Sequence, residues 1–355
     1  MKKALILLNM GGPNNLSEVE VFLKNMFNDP FILGVKSDFW RSVLAALIVR
    51  SRAAAARSNY EKLGGRSPIC SITEALCERV NELARAELSA GLKFKGAADA
   101  SAAGEPPQEA QAQGEPSQNA ALQDEKPIDE LICDYAMNYT PPFAEDVFKK
   151  YADFDEIILM PLYPHFSKTT VQSSLCSAEA ALKQLGIKNY RIIDIFYDSA
   201  AYNEILLNLI ASCVAKFSAD EISQISLIFS AHSLPVKMIA AGDPYEAQVE
   251  AHVEILKDLL AARGIKFKEI ILAYQSRLGP VKWLEPNIAD VLRDLQSKKA
   301  LIFPIAFCVD NSETDFELDI FYRASARELG YEYYEVCKCP NSREDFAKFI
   351  LAQAL

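Results

Sequence analysis

The sequence predicts an α/β protein with two doubly wound parallel sheets that face each other across a cleft. Apolar runs such as residues 225–229 are continuous rather than alternating, as in strands that are buried on both faces of a parallel sheet. Strand-like and helix-like segments alternate along the chain at the spacing of βαβ units. The alternation breaks near residues 161–174, and this break predicts the boundary between the two sheets.

The first half opens with the apolar strand 4–8, which runs into a turn at Gly11 and Gly12. Ser17, with Glu20 three residues further on, predicts the cap of a helix that ends near residue 27. The turn lacks the G-x-G-x-x-G spacing, so nicotinamide or flavin binding has little support, and a plain structural turn is the alternative. Similar patterns predict helix 72–88, strand 130–137, helix 142–151 and a buried strand from residue 156.

The second half repeats the alternation of apolar strands and amphipathic helices. Its predicted elements are helix 173–185, strand 190–196, a long helix, strand 226–229, helix 244–263, strand 269–274 and strand 300–304. We therefore expect a first domain at 1–165, a second at 166–330, and a C-terminal segment at 331–355 that packs back on the fold. The number of copies in an assembly is not predicted.

Composition restricts the classes of function. The chain has 355 residues, half of them hydrophobic, and a formal net charge of -11, which argues against a nucleic-acid partner because phosphate binding needs a basic face. The apolar stretch after Met1 is too short for a signal peptide, and no run approaches a membrane-spanning length. Eight dispersed cysteines fit a reducing, cytoplasmic setting. Cys337 and Cys339 form a close pair, but a pair alone is a weak metal signal.

Two segments differ from the alternation of apolar strands and amphipathic helices. Residues 96–126 lack aromatic residues and repeat Gly-Glu-Pro, so we expect a mobile insertion that carries no site residues. Residues 39–52 are apolar around much of a helix and carry three arginines. Such a helix can be part of the core, a lip over an apolar ligand, or an interfacial contact with a membrane. The sequence alone favours core burial.

His232 is the first candidate for chemistry. It follows the apolar run at 225–229, and ligands bind at the carboxyl ends of strands in open parallel sheets. An imidazole there can act as a base or a metal ligand near neutral pH. The alternative is a histidine that only ends a strand.

An acidic helix follows the last predicted strand. Asp310, Glu313 and Glu317 lie at helical spacings, and Glu313 and Glu317 share one face, where like charges repel each other. A bound cation would stabilise both carboxylates on this face. The alternative is a solvated helix N-terminus, where acidic side chains interact favourably with the helix dipole. Both the acidic face and His232 lie at carboxyl ends of strands, which favours the interpretation that a cation binds there.

Four stretches together resemble ferrochelatase, the terminal enzyme of haem synthesis. They are LNMGGP at 8–13, FSAHSLP at 229–235, QSRLGP with WL at 275–284, and FPIAFCVDNSETDFELD at 303–319. The LYPHFS loop at 162–167 and the GDPY turn at 242–245 are also similar. The resemblance covers nearly the whole chain apart from the insertion.

The resemblance implies two Rossmann-like domains with parallel four-stranded sheets and a porphyrin cleft between them. It implies insertion of ferrous iron into protoporphyrin IX with release of two protons, and Fe²⁺ is a substrate rather than a resident cofactor. His232 would take pyrrole protons or hold iron, and Glu313 would be the metal-side carboxylate. Glu317 would relay protons or iron along the same face.

The family also implies residues of the cleft wall. Met10 would lie over the macrocycle face, where a methionine resembles the protoporphyrin type rather than the coproporphyrin type. Phe307 and Trp283 would pack on the ring, and Arg52 and Ser67 would contact propionates. Residues 28–52 would form the cleft lip, with peripheral contact at the inner face of the membrane as an alternative to core burial.

The chain departs from the family pattern in three places. Asn311 stands where many relatives have His, Phe321 where they have an acid, and Arg66 where they have a glycine. The cysteine-bearing extension of iron–sulfur forms is missing, so we expect no cluster and no permanently bound cofactor. The alternatives are a chelatase for another tetrapyrrole or metal, such as coproporphyrin or cobalt, and a non-catalytic porphyrin carrier.

Overall fold

A computed structural model describes residues 1–89, 127–277, 279 and 281–355. The predicted insertion at 96–126 lies outside these residues. The predicted fold class is confirmed, because the strands form two four-stranded parallel sheets flanked by helices.

The first sheet has the strand order β2-β1-β3-β4. Its strands are β1 (Lys2–Asn9), β2 (Glu130–Met137), β3 (Glu156–Pro161) and β4 (Tyr190–Ile192), and all pairings are parallel. Side chains of β1 point alternately to two hydrophobic clusters, Leu5 and Leu7 to one, and Ala4, Ile6 and Leu8 to the other. Both faces are therefore covered, which is why the strand is continuously apolar.

The second sheet repeats this arrangement with the strand order β6-β5-β7-β8. Its strands are β5 (Ser226–His232), β6 (Glu269–Gln275), β7 (Lys299–Phe303) and β8 (Tyr333–Val336), again all parallel. Leu227 and Phe229 of β5 join the same large cluster as Leu5 and Leu7, whereas Ile228 faces a separate one. One hydrophobic core thus runs from the inner face of one sheet to the inner face of the other.

Helices connect and cover the strands. The α-helices are α1 (Val19–Asn28), α2 (Pro30–Leu33), α3 (Asp38–Lys62), α4 (Ile69–Ser89), α5 (Ala144–Lys149), α6 (Ser173–Leu185), α7 (Ala200–Val214), α8 (Ala219–Ile222), α9 (Val236–Ala240), α10 (Tyr245–Ala262), α11 (Ile288–Asp294), α12 (Tyr322–Glu328) and α13 (Glu344–Ala354). Leu16–Glu18 forms a 3₁₀ turn, and Lys168–Gln172 and Glu313–Phe321 form π-helices. In the described ranges no helix is long and apolar enough to cross a membrane.

Several predicted bounds need correction. Ser17 does not cap the first helix, because Asn15 accepts the Ser17 backbone N–H and a 3₁₀ turn precedes α1. The strand predicted at 190–196 ends at Ile192, since only its first three residues pair with β3. The strand predicted at 226–229 continues to His232, so the histidine is its last paired residue.

The sheets do not follow the predicted domain bounds. β4 pairs with β3, so the first sheet continues past residue 165. β8, which the sequence reading did not identify, pairs with β7 and extends the second sheet past residue 330. The rest of the C-terminal segment packs back on the fold, with Phe346 and Phe349 of α13 beside Tyr202 of α7. That residues 1–165 and 166–330 are independent folding units stays a prediction.

The helix α3 is not the core helix that its composition favoured. Five large apolar side chains on its first three turns form an exposed apolar stripe: Phe39 (68% exposed), Trp40 (63%), Val43 (39%), Leu44 (39%) and Leu47 (62%). They repeat at i, i+4 and i+8, so they lie on one side of the helix. Exposed apolar side chains are usually scattered singly, whereas these five share one face of a helix.

Candidate active site

The site lies where three strands of the second sheet end. His232 is the last residue of β5 and is opposite Gln275, the last residue of β6. Glu313 follows β7 through the loop at 304–312 and begins the π-helix. Because parallel strands end at the same edge, residues far apart in sequence meet here, as the sequence predicted.

The central contact joins the imidazole of His232 to the carboxylate of Glu313. His232 Nδ1 lies 2.7 Å from Glu313 Oε2 and donates a hydrogen bond to it. Gln275 Nε2 donates to the same oxygen at 3.1 Å. The side chains of His232 and Glu313 are 37% and 21% exposed, so the pair is open to solvent. Since Nδ1 is engaged, the outer nitrogen Nε2 is the one available for chemistry.

Ser276 holds both carboxylates of the acidic face. Its backbone N–H donates to Glu317 Oε1 at 2.9 Å, and its hydroxyl donates to Glu313 Oε2 at 3.2 Å. The hydroxyl also contacts Glu317 Oε2. Ser276 has φ of 67°, a left-handed conformation that is uncommon outside glycine. This conformation turns the N–H and the hydroxyl toward the two acids, which is the kind of strain found at functional sites.

The charges of the site shift its pKa values in opposite directions. Burial lowers the pKa of His232, but the charge and hydrogen bond of Glu313, helped by Glu317, raise it above its ordinary value. Burial raises the pKa of Glu313, but His232, Gln275 and Ser276 together lower it below its ordinary value. Burial and the neighbouring Glu313 charge raise the pKa of Glu317. One carboxylate therefore stays charged while the other binds a proton more readily.

The acidic helix is a π-helix, not the α-helix that the spacing suggested. Its i→i+5 pattern still brings Glu313 and Glu317 to one side, where Ser276 binds both. Asn311 caps it, because its Oδ1 accepts the Glu313 N–H at 2.8 Å. Asp310 does not share the acidic face, since its carboxylate accepts hydrogen bonds from Cys339 N and Asn341 Nδ2.

The end of α3 contacts this π-helix. Tyr60 OH donates to Ser312 Oγ at 3.4 Å, and the Lys62 ammonium lies 5.5 Å from the centre of the Phe316 ring. Burial, opposed by the bond to Ser312, raises the pKa of Tyr60 to about 12, so this phenol stays protonated near neutral pH. The helix that carries the exposed apolar stripe therefore ends beside the acidic pair.

Comparisons with known proteins identify the family. A family model described as Ferrochelatase matches residues 2–102 and 98–354. Ferrochelatase of Campylobacter fetus subsp. fetus (strain 82-40) is 50% identical over 351 residues, which cover 99% of this chain and 98% of that protein. The chain belongs to the ferrochelatase family.

Further relatives agree with this assignment. Ferrochelatase of Campylobacter concisus (strain 13826) is 45% identical over 355 residues, covering 100% of this chain and 98% of that protein. Ferrochelatase of Helicobacter pylori (strain J99) is 40% identical over 354 residues, covering 99% and 92%. Similarity of this extent over both sheets confirms the resemblance that the four motifs indicated.

The structure brings together some of the residues that the ferrochelatase resemblance implied. His232, Glu313 and Glu317 form one connected set through Ser276. Within the ranges that the structure describes, no group of three or more His, Cys, Asp or Glu side chains is arranged to hold a metal ion.

The cleft-wall residues show different degrees of burial. Met10, Arg52, Trp283 and Phe307 are half-buried. Ser67 is buried at 3% exposure behind Gly12, and a side chain on Gly12 would clash with it. In the described structure the buried indole N–H of Trp283 has no hydrogen-bond partner. Contact of these five residues with a porphyrin stays a prediction.

Sequence reasoning assigned no role to Gln275, Ser276 or Tyr60. The signal for the first two was available, since they belong to the QSR motif and directly end a predicted strand. Tyr60 gave no such signal, because it reaches Ser312 across 252 residues of sequence.

The other two histidines form a buried pair that joins the LYPHFS loop to α10. His165 Nε2 lies 2.9 Å from His252 Nδ1, and His252 Nε2 lies 2.9 Å from Asn203 Oδ1. The Asn203 amide donates to Tyr197 O and Ser199 O, so its oxygen must accept from His252. At most one of the two imidazoles can carry a charge, because one nitrogen of the His165–His252 contact must accept the hydrogen bond. Burial lowers the pKa of His252 to about 3 and that of His165 well below its ordinary value.

This pair predicts acid sensitivity of the fold. Both histidines bind protons near pH 6.5 when unfolded but much lower when folded, so their stabilisation is complete above pH 6.5 and is lost as pH falls below it. Each contributes a slope of up to about 1.4 kcal/mol per pH unit. In urea unfolding between pH 7.5 and 5, we expect His165→Gln to flatten the decline in unfolding free energy.

His232 provides the control, because its folded pKa is raised rather than lowered. Its contribution to the unfolding free energy is present below pH 6.5 and is lost as the pH rises through the pKa of His232 in the folded protein. We therefore expect that His232→Asn does not flatten the decline in unfolding free energy between pH 7.5 and 5. Equal slopes for wild type and His165→Gln would show that the buried pair is not the cause.

Proposed function

We propose that this protein inserts ferrous iron into protoporphyrin IX and releases two protons, as a ferrochelatase. The observation that carries the proposal is the contact between His232 and Glu313 at the accessible end of the second sheet, with Glu317 attached through Ser276. Replacing two pyrrole protons by Fe²⁺ needs a base on the macrocycle side and ligands that release the metal. This pair supplies both.

His232 acts as ligand and base in turn. With Nδ1 donating to Glu313, Nε2 can bind Fe²⁺ or accept a pyrrole proton. The raised pKa makes the neutral imidazole a stronger base toward the pyrrole N–H. The adjacent carboxylate then stabilises the imidazolium that forms, much as a carboxylate orients a histidine in other acid–base sites.

Glu313 and Glu317 have different roles. Glu313 keeps its charge and offers oxygen ligands, which bind Fe²⁺ loosely enough for transfer to four nitrogen ligands. Glu317 has a raised pKa and takes protons away from the reacting centre. It lies four residues further along the π-helix and is joined to Glu313 through the Ser276 hydroxyl.

The cleft wall binds and distorts the macrocycle. Met10 follows β1 of the first sheet, whereas Trp283 and Phe307 belong to the second half, so these three side chains would contact the ring from different parts of the fold. Bending a planar macrocycle exposes its nitrogen lone pairs to metal and base. Arg52 on α3 would bind a propionate through its guanidinium. Ser67, in the turn between α3 and α4, would also contact a propionate.

Removing either member of the central pair should abolish turnover. We expect His232→Ala and Glu313→Gln to slow insertion of Fe²⁺ into protoporphyrin by roughly 10²–10⁴-fold, the usual contribution of a positioned acid–base group. Glu328→Gln, an exposed acid on α12, is the control and should keep wild-type activity. Insertion is followed by the change in porphyrin absorbance, with Fe²⁺ and Zn²⁺ and with protoporphyrin and coproporphyrin.

Two results would overturn this function. One is a wild-type protein that binds porphyrin but does not accelerate insertion of either metal, which would make it a carrier. The other is a faster reaction with coproporphyrin than with protoporphyrin, which would change the substrate.

We further propose that the cleft lip makes peripheral contact with the inner face of the membrane. The exposed apolar stripe of Phe39, Trp40, Val43, Leu44 and Leu47 supports this, because an amphipathic helix inserts such a face below the headgroups. Arg50, which is exposed one turn beyond the stripe, adds attraction to anionic lipids. An apolar porphyrin could then pass directly from lipid to the cleft, and the protein would work at the cytoplasmic surface.

The chain offers a direct test, because it has only two tryptophans. In a Trp283→Phe background, Trp40 is the single indole, and its emission should shift to shorter wavelength on addition of phosphatidylglycerol vesicles. Phe39→Ser with Leu47→Ser should weaken co-sedimentation with the same vesicles at least tenfold. Ile192→Ser, which removes an exposed side chain of β4, is the control. Unchanged emission and sedimentation would leave the stripe as a porphyrin contact alone.

A further inference from the structure

Two cysteines that are distant in sequence have their sulfur atoms in unusually close contact. Cys213 lies at the end of α7, and Cys337 directly follows β8, 124 residues later. Both are free thiols, and the two Sγ atoms are 2.8 Å apart. Non-bonded heavy atoms usually lie about 3.5–4.0 Å apart, so this pair is closer than ordinary packing requires. An S–S bond of about 2.05 Å needs an approach of less than about 1 Å more.

The surroundings give the two thiols different roles. Cys213 is half-buried, whereas Cys337 is 1% exposed and its backbone N–H is bonded to Ile302 O of β7. The Cys337 thiol donates a hydrogen bond that lowers the pKa of Cys213, although burial and the nearby Glu335 charge oppose this effect, and the Lys216 charge adds a smaller lowering. Burial raises the pKa of Cys337. A half-buried sulfur with a lowered pKa thus lies against a fully buried sulfur whose pKa is raised.

We propose that Cys213 and Cys337 are a site of reversible oxidation, at which a hydroperoxide converts the two thiols to an intramolecular disulfide. The Cys213 thiolate attacks a peroxide oxygen, which breaks the O–O bond and gives a sulfenic acid and hydroxide. The Cys337 sulfur then attacks the sulfenic sulfur, forms the S–S bond and displaces hydroxide. With hydrogen peroxide, two thiols and one H₂O₂ become one disulfide and two waters, and a dithiol reductant reverses the change.

The other cysteines lack one of the two requirements. Cys77 and Cys133 are neighbours, but both are buried, and burial raises the pKa of Cys77 well above its ordinary value. Cys176 is exposed, but no thiol of the described residues bonds to it, so its oxidation would stop at the sulfenic acid. Accessibility and a resolving partner coincide at Cys213 and Cys337.

The bond would fasten a segment that supports the active site. Two residues after Cys337, the Cys339 N–H donates to Asp310 Oδ1, and Asn341 Nδ2 donates to Asp310 Oδ2 at 2.7 Å. Asp310 lies three residues before Glu313. Oxidation therefore links α7 to the support of the π-helix and closes a loop of 124 residues, which stabilises the folded state by restricting the unfolded chain.

The test uses the reduced full-length protein and hydrogen peroxide, followed by alkylation and peptide mass spectrometry. We expect a Cys213–Cys337 peptide, loss of two of the eight thiols, and a rise in Tm of several degrees that dithiothreitol reverses. Cys213→Ser should slow thiol loss at least tenfold, and Cys337→Ser should leave Cys213 as a sulfenic acid that dimedone labels. Cys176→Ser should change neither the disulfide nor the Tm shift.

Two results would contradict the proposal. One is oxidation of Cys176 without any Cys213–Cys337 peptide. The other is formation of that peptide no faster than a Cys77–Cys133 peptide in the same sample. Because Cys213 is half-buried, Cys213→Ser keeps the fold testable by circular dichroism even if Cys337→Ser does not fold. None of these readouts depends on iron insertion.

Discussion

The hydrogen bond between His232 Nδ1 and Glu313 Oε2 is the interaction on which the rest of the site depends. It joins the end of β5 to the start of the π-helix across 81 residues of sequence. It also sets the electrostatics, because each partner shifts the pKa of the other toward the charged form, against the effect of burial. Gln275 and Ser276 donate to the same oxygen, Oε2, so three donors hold that side of the carboxylate in place. The imidazole is thereby oriented with Nε2 outward.

The architecture explains why this pair can serve a large apolar substrate. Both sheets share one hydrophobic core, which fixes their relative position while their carboxyl edges stay free for binding. Helix α3 spans from the exposed stripe around Trp40 to Tyr60 and Lys62, which contact the π-helix. In the proposed function, the same helix meets the lipid surface at one end and the metal side of the cleft at the other. One helix would therefore connect the proposed site of entry with the proposed site of chemistry.

Much of this could be predicted from sequence, and the failures have physical causes. Continuous apolar runs predicted the parallel strands, and strand ends predicted where His232 and Glu313 meet. β8 was missed because it is short and only alternately buried. The π-helix has no sequence pattern that separates it from an α-helix, since both place Glu313 and Glu317 on one side. The role of Ser276 depends on a positive φ at a residue that is not glycine, and the His165–His252 pair depends on tertiary contacts.

The most direct test of this account is an NMR titration of the His232 imidazole in the metal-free protein, with His165 and His252 as internal references. We predict a His232 pKa above 6.5 in wild type, because Glu313 and Glu317 together outweigh burial, and a lower pKa in Glu313→Gln, where only Glu317 opposes burial. The two buried histidines should stay neutral through this range in both proteins. A His232 that titrates below 6.5 in wild type, or that is unaffected by Glu313→Gln, would contradict the claim that this pair is the charged centre of the site.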